Sequence, residues 1–192
     1  GLIMMSVITN SYSNVVSSFF SAKFQRNIEE LLVAPVPTHI IIMGYVGGGM
    51  ARGLAVGFLV TVISLFFVQL DVHSWFVTIA TLLMTTILFS LAGLLNAIFA
   101  KRFDDISIVP TFVLTPLTYL GGVFYSLSLL PEFWQWVSKL NPIVYMISGF
   151  RYGFLGIHDV PLSMTFGILT LFIVLAYALV WRLIEKGQGL RR

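Results

Sequence analysis

Residues 24–39 read FQRNIEELLVAPVPTH and lie between two long segments that are almost free of charge. Arg26, Glu29 and Glu30 fall within five positions here, although charged residues make up only 10% of the chain. Hydrophobic residues make up 58%, and aromatic residues 15%, of the 192 residues. A globule of this length cannot bury so much apolar surface, so the composition predicts an integral membrane protein.

Five segments are apolar and long enough for a helix to cross about 30 Å of hydrocarbon, which takes ~20 residues. They comprise residues 1–20, 45–70, 75–100, 106–124 and 162–181. We therefore predict an all-α fold, a polytopic membrane helical bundle with five spans. The sequence begins at Gly1 inside an apolar run, without the basic region and cleavage site of a signal peptide. This start predicts a fragment of a longer protein.

The basic residues are distributed unequally between the two ends of these spans. Of the eleven Lys and Arg residues, all but Lys139 and Arg151 fall on or near one side, and this excess predicts that the first side is cytoplasmic. Arg52 precedes Leu70 by 18 residues, about 27 Å along a helix. We therefore expect Arg52 at the cytoplasmic interface, where its side chain can snorkel. The alternative is an arginine that faces a pore.

Polar and small residues distinguish the first two spans. The first span carries Asn10 and Asn14 among several hydroxyl side chains, and in lipid such groups prefer partners on another helix. We expect this helix to face the bundle interior or a substrate path, with simple interhelical hydrogen bonding as the plainer alternative. In the second span Gly49, Gly53 and Gly57 recur every four residues and predict a smooth face for close helix packing.

The charged stretch that interrupts the spans has the pattern of a short amphipathic helix. Its apolar side chains gather on one face and its polar side chains cover the rest, and Pro35 and Pro37 end the helix. A helix resting on anionic lipid would be rich in Lys and Arg, and a solvated loop needs no apolar face. A helix docked in a groove of a cytoplasmic partner explains both faces. The candidate docking residues are Phe24, Arg26, Ile28, Glu29, Glu30, Leu31 and Leu32.

Residues 125–161, between the fourth and fifth spans, are too apolar for an ordinary exterior loop. Their many aromatic residues are typical of a membrane interface. Pro131 and Pro142 divide the segment into two short helices, about 132–140 and 143–155, which should dip into the membrane and return or lie flat. Arg151 is either an anchor of this region, through cation–π contact or a salt bridge, or a contact for an anionic substrate.

The sequence lacks the motifs of common catalytic and binding chemistries. The glycines of residues 47–49 are not followed by the GK[ST] of a phosphate loop. The three histidines are far apart in sequence and there is no cysteine, so we expect neither a metal site nor a catalytic site. The repeated halves and midplane charges of secondary carriers are not evident either. We expect the energy source on another chain, with an ion-coupled secondary transporter and a scaffold membrane protein as alternatives.

Two blocks of sequence carry a resemblance to a known family. They are FQRNIEELLVAPVPTHIII at residues 24–42 and PLTYLGGVFYSLSLLPEFWQWVSKLNPIVYMISGFRYGFLG at residues 116–156. The landmarks of the second block are Gly121, Gly122, Pro131, Asn141, Pro142 and Arg151. Over its whole length the chain resembles the permease subunit of ABC-2-type exporters, a family of bacterial inner-membrane proteins.

The resemblance implies a single transmembrane domain over residues 1–192, with five of the family's six spans. An N-terminal amphipathic helix and the first span would be missing. It also implies that residues 27–34 form a cytoplasmic coupling helix seated in a separate ATPase subunit, and that the landmark residues belong to a re-entrant helix pair before the last span. Neutral Tyr45 stands where the family usually has a basic residue after the coupling segment.

The mechanism implied by the resemblance is export by alternating access in a homodimer of permeases surrounded by membrane lipids. The partner subunit would bind ATP and magnesium and hydrolyse the nucleotide. This chain would then be a transport subunit without a cofactor, an enzymatic activity or a nucleic-acid partner of its own.

Overall fold

The computed structural model of the protein describes residues 2–24, 37–67, 69, 72–100, 104–105, 108, 110–120, 131–156 and 161–186. Over these residues the chain is helical and contains no strand, which confirms the predicted all-α class. A π-helical turn, Pro110–Leu114, leads into the fourth of the α-helices. In chain order these are α1 Leu2–Phe24, α2 Thr38–Leu65, α3 Trp75–Phe99, α4 Thr115–Leu120, α5 Glu132–Ser138, α6 Pro142–Leu155 and α7 Leu162–Lys186.

Three helices in the described ranges, α2, α3 and α7, are both long enough and apolar enough to cross a membrane. They contain 28, 25 and 25 residues, and each exceeds the ~20 residues that a span requires. Helix α1 has 23 residues but carries polar side chains along one face. Of the predicted fourth span, the structure describes residue 108 and the continuous stretch 110–120.

The boundaries of α2 differ from the predicted span. The helix begins at Thr38 rather than Tyr45, because Pro37 takes the extended backbone of an N-cap residue, with φ −59° and ψ 143°, and proline favours the start of a helix. It ends at Leu65 rather than Leu70. Arg52 therefore lies at the centre of α2, 14 residues after Thr38 and 13 before Leu65; its expected place at the cytoplasmic interface stays a prediction.

The core of the described residues is built around α1 and α3. Helix α1 packs against α2 and α3, whereas α6 packs against α3 and α7. Helix α3 buries a row of hydroxyl side chains among its apolar ones, and Thr78 and Thr85 donate to backbone carbonyls of their own helix at 2.8 and 2.7 Å. The Thr78 and Thr85 hydroxyls are thus satisfied locally, and such small side chains at helix contacts let the backbones approach more closely than bulkier ones would.

Candidate translocation surface

Helix α1 has two faces of opposite character. One face is buried by apolar side chains that recur every three or four residues: Met4, Val7, Ile8, Tyr12, Val15, Val16, Phe19 and Phe20. The other face is exposed or half-buried and carries only hydroxyl and amide side chains over this stretch. We call it the polar face of α1, and its residues are Ser6, Thr9, Asn10, Ser13, Asn14, Ser17, Ser18 and Ser21.

The polar face of α1 extends over most of the length that a helix needs to cross a membrane. From Ser6 to Ser21 it covers ~23 Å of helix, most of the about 30 Å of hydrocarbon in a bilayer. Lipid offers no hydrogen-bond partner, so hydroxyl and amide groups directed at acyl chains are destabilising. In the membrane this face should therefore adjoin a water-filled path or another protein surface.

Both predicted path residues, Asn10 and Asn14, lie half-buried on the polar face. The Asn10 side-chain amide donates to the Ser6 carbonyl oxygen at 2.9 Å, so this bond stays within α1 rather than joining two helices. Asn14 lies beside α2, where a β-carbon on Gly48 would come within 3.5 Å of the Asn14 Nδ2. The polar face thus extends to the edge where α1 meets α2.

The three glycines predicted to form a packing face, Gly49, Gly53 and Gly57, are all buried. A β-carbon at Gly53 would overlap the Ser11 hydroxyl oxygen. A β-carbon at Gly57 would lie 2.7 Å from a methyl group of Val7. Residues further along α2 thus meet earlier residues of α1, so the two helices run antiparallel and in close contact.

Arg52 lies on α2 at the side that faces α1. On a helical wheel it falls between Gly48, which lies beside Asn14, and Gly49, whose β-carbon would meet Val15. Its side chain is exposed, and in the described part of the chain no hydrogen bond or ion pair involves it.

Two short helices, α5 and α6, occupy the segment in which Pro131 and Pro142 predicted them. The Asn141 side chain caps α6 by accepting a backbone hydrogen bond at 3.0 Å, and its amide donates to the Leu117 carbonyl oxygen at 2.6 Å. The Tyr145 hydroxyl donates to the Lys139 carbonyl oxygen at 2.6 Å. These bonds tie α4, α6 and the connection before α6 together.

Replacing Asn141 with alanine should lower the free energy of unfolding by about 2–4 kcal/mol. Loss of the helix cap costs about 1 kcal/mol, and the half-buried Leu117 carbonyl would lose its donor at a further cost of about 1–3 kcal/mol. Asn141→Ser keeps a capping oxygen but is too short to reach Leu117, so its effect should be intermediate. Thermal unfolding of the purified protein tests this order, and equal stability of all three forms would contradict it.

The remaining residues of the predicted re-entrant segment lie in different surroundings. Pro131 is exposed at the start of α5, whose aromatic residues Phe133, Trp134 and Trp136 are also exposed. Arg151 is half-buried on α6 and has an interaction partner. The other predicted residues of this segment, Gly121 and Gly122, lie outside the described residues.

The predicted docking helix falls almost entirely outside the described residues. Phe24 is the last residue of α1. Structure is not described for Arg26, Ile28, Glu29, Glu30, Leu31 and Leu32. The described helices nevertheless show what the segment connects, since α1 ends at Phe24 and α2 begins at Thr38.

An apolar groove of about 600 Å³ lies between α2, α3 and α7. Met43, Gly47 and Met50 line it on α2. At one end of these helices the His39 ring stacks on Trp181, with 6.2 Å between ring centroids. No group of three or more His, Asp or Glu side chains suited to a metal ion occurs in the described ranges. The surface therefore offers both polar and apolar contacts.

Comparison with known proteins places this arrangement in context. Residues 1–155 match the family described as ABC-2 type transporter, through its membrane domain. The chain is 76% identical over 191 residues to the inner membrane transport permease YadH of Escherichia coli strain K12, a match that covers 100% of this chain and 75% of that protein. The YadH protein of Shigella flexneri matches equally well.

A more distant relative is nodulation protein J of Rhizobium meliloti. It is 21% identical over 187 residues, which cover 97% of this chain and 71% of the relative. No solved structure matches the chain.

Proposed function

This chain belongs to the ABC-2 type transporter family, and we propose that it exports its substrate by alternating access, powered by a separate ATPase subunit. It is a membrane permease of an ABC transporter, and it is a multi-pass protein of the inner membrane. Membership in the family implies an ABC ATPase as its partner. The direction of transport, the access mechanism and the substrate path are the proposed part.

The observation that carries the proposal is the polar face of α1. Eight hydroxyl and amide residues line one side of a membrane-length helix, and the opposite side is buried in the bundle. Such a face is unfavourable against lipid, and in a permease it is suited to line a hydrated path. We place the substrate path along this face, with Asn10 and Asn14 near its middle.

The proposed architecture has five of the family's six spans, with α4 and the turn before it inside the fourth span. Helices α5 and α6 form the re-entrant pair before the last span, α7. The exposed aromatic residues of α5 support an interfacial position, and the burial of most of α6 supports a segment shielded from lipid by protein. Two permeases would form a homodimer around the path.

The connectivity suggests how force from the ATPase reaches the path. Residues 27–34, the proposed coupling helix, join α1 to α2, and these are the two helices that border the path. The glycine contacts hold α1 and α2 tightly together, so a displacement of the coupling helix would move them as a pair. ATP binding shifts the conformational equilibrium only if the coupling helix makes different contacts in the two states.

Cysteine accessibility tests the position of the path. The chain contains no cysteine, so single substitutions can be labelled without background once any cysteine in the rest of the full-length protein is replaced. Ser13→Cys and Ser17→Cys should react quickly with a membrane-impermeant methanethiosulfonate reagent, because the reactive thiolate forms only in a hydrated site. Leu175→Cys, on an exposed apolar position of α7, should react slowly.

The same labelling distinguishes alternating access from a static polar surface. In the complex with its ATPase, labelling at Ser17→Cys should change when ATP and vanadate trap the closed nucleotide-bound state. Equal and slow labelling at the polar face and at Leu175→Cys would exclude the proposed path. Transport that persists with a proton gradient and a catalytically inactive ATPase would instead establish an ion-coupled carrier.

A further inference from the structure

Arg52 is a charged residue at the centre of a membrane-length helix. It follows Thr38 by 14 residues and precedes Leu65 by 13 residues, which places it ~20 Å from each end of α2. Its side chain is exposed, and its guanidinium has no hydrogen bond or ion pair within the described residues. With α2 centred in the bilayer, an arginine at this position would be energetically costly in lipid and would require a polar or anionic partner.

The close packing of α1 and α2 places Arg52 beside the polar face of α1. Gly53, its neighbour, packs against Ser11, so Arg52 lies at the level of residues 10–12 on α1. Gly48, one turn earlier on the same side of α2, lies beside Asn14. The guanidinium and the amides of Asn10 and Asn14 therefore belong to one polar surface.

In the part of the chain that the structure describes, no carboxylate forms an ion pair with Arg52. Glu185 lies in the last turn of α7, and Glu132 is the first residue of the short helix α5. The six others fall between the described helices in sequence: Glu29, Glu30, Asp71, Asp104, Asp105 and Asp159.

Lipid phosphates are also badly placed as partners. They lie at the bilayer surface, about 15 Å from the centre of the hydrocarbon, which is further than an arginine side chain extends. The exposed guanidinium is therefore suited to an anionic group that enters the membrane along the polar face. Arginine binds carboxylate and phosphate groups through two parallel hydrogen bonds.

We propose that Arg52 binds an anionic group of the transported substrate and makes the permease selective for anionic, hydroxyl-bearing molecules. The hydroxyl and amide side chains of α1 would hold the neutral polar part of the same molecule. This inference rests on the proposed function, because it assumes that the polar face of α1 is the substrate path. Arg52 is then the residue that determines specificity for charge.

Binding of two matched amphiphiles tests the proposal. Dodecyl β-D-glucuronide and dodecyl β-D-glucoside differ only in a carboxylate that replaces a hydroxymethyl group. Their dissociation constants are measured on the full-length permease in phosphatidylcholine nanodiscs by quenching of tryptophan fluorescence. The glucuronide should bind about tenfold more tightly than the glucoside, as one charge-assisted hydrogen-bonded pair allows.

Variants of Arg52 test whether this residue causes the preference for the glucuronide. Arg52→Gln should remove the preference for the glucuronide, and Arg52→Lys should retain part of it because it keeps the charge but not the planar fork. Arg182→Gln removes an exposed positive charge near the end of α7 and should leave the preference unchanged. The same preference in Arg52→Gln as in the unaltered protein would overturn the proposal.

Two further comparisons keep the outcome decisive. The methyl ester of the glucuronide is neutral and should bind the unaltered protein like the glucoside; tight binding of the ester would overturn the proposal without any variant. Equal binding of glucuronide and glucoside to the unaltered protein would also overturn the proposal, because Arg52 would then not recognise the carboxylate. Because these measurements need neither ATP nor transport, charge-selective binding without ATP-driven export would refute the proposed function alone.

Discussion

Gly53→Ala should lower the free energy of unfolding by about 1–3 kcal/mol, the usual cost of overpacking a filled contact. The added β-carbon would overlap the Ser11 hydroxyl and would also lie 3.1 Å from the Thr86 methyl carbon and 3.3 Å from the Ser11 β-carbon. It therefore meets atoms of both α1 and α3, and one rotation of the Ser11 side chain does not relieve the whole clash. The melting temperature of the protein in detergent should fall by several degrees.

Gly47→Ala is the matched control on the same helix. A β-carbon at Gly47 would have nothing within 4 Å, so the substitution should raise stability by about 0.5–1 kcal/mol through better helix propensity. Combining Gly53→Ala with Ser11→Gly should recover part of the loss, because the second change removes two of the three clashing atoms. A fall in melting temperature that is equal for Gly47→Ala and Gly53→Ala would show that α1 and α2 are not packed through Gly53.

The sequence predicted most reliably the elements whose limits are set by local chemistry. Helix α3 begins at Trp75, as predicted, because Ser74 caps it by accepting a hydrogen bond from the Val77 amide. The two short helices of the outer segment were predicted within two residues of their ends, because Pro131 and Pro142 fix where each one begins. Proline and capping residues act through a few neighbouring bonds, so they are visible without knowledge of the fold.

Features that depend on which helices are neighbours could not be predicted in the same way. The polar residues of the first span were evident, but hydropathy does not reveal that α1 directs its apolar side inward and keeps Asn10 and Asn14 at the outer edge. The sequence signal for this orientation was that polar and apolar side chains each recur every three or four residues. The place of Arg52 within α2 could not be predicted because apolar residues before and after it allow several registers, and only the helix limits at Thr38 and Leu65 fix it.

Glu30→Lys or Leu31→Asp in the proposed coupling helix should abolish ATP-driven transport while leaving membrane insertion intact. Leu31 is on the apolar side of the predicted amphipathic helix, so a carboxylate there would have to be desolvated on docking into the partner's groove. Glu30 is on the charged rim, where a reversed sign would replace attraction by repulsion across an interface. Transport and ATP hydrolysis by the full-length permease with its ATPase in proteoliposomes provide the measurement.

Glu185→Lys is the matched control for Glu30→Lys, since it makes the same charge change at an exposed site in the last turn of α7. On the proposed topology both sites are cytoplasmic, so a general effect of charge on insertion or on the membrane surface should affect both variants. Only Glu30→Lys should uncouple the ATPase from transport, because only that side chain belongs to the segment that joins α1 to α2. Normal coupled transport by both Glu30→Lys and Leu31→Asp would exclude residues 27–34 as the coupling helix, even if the polar face of α1 is the path.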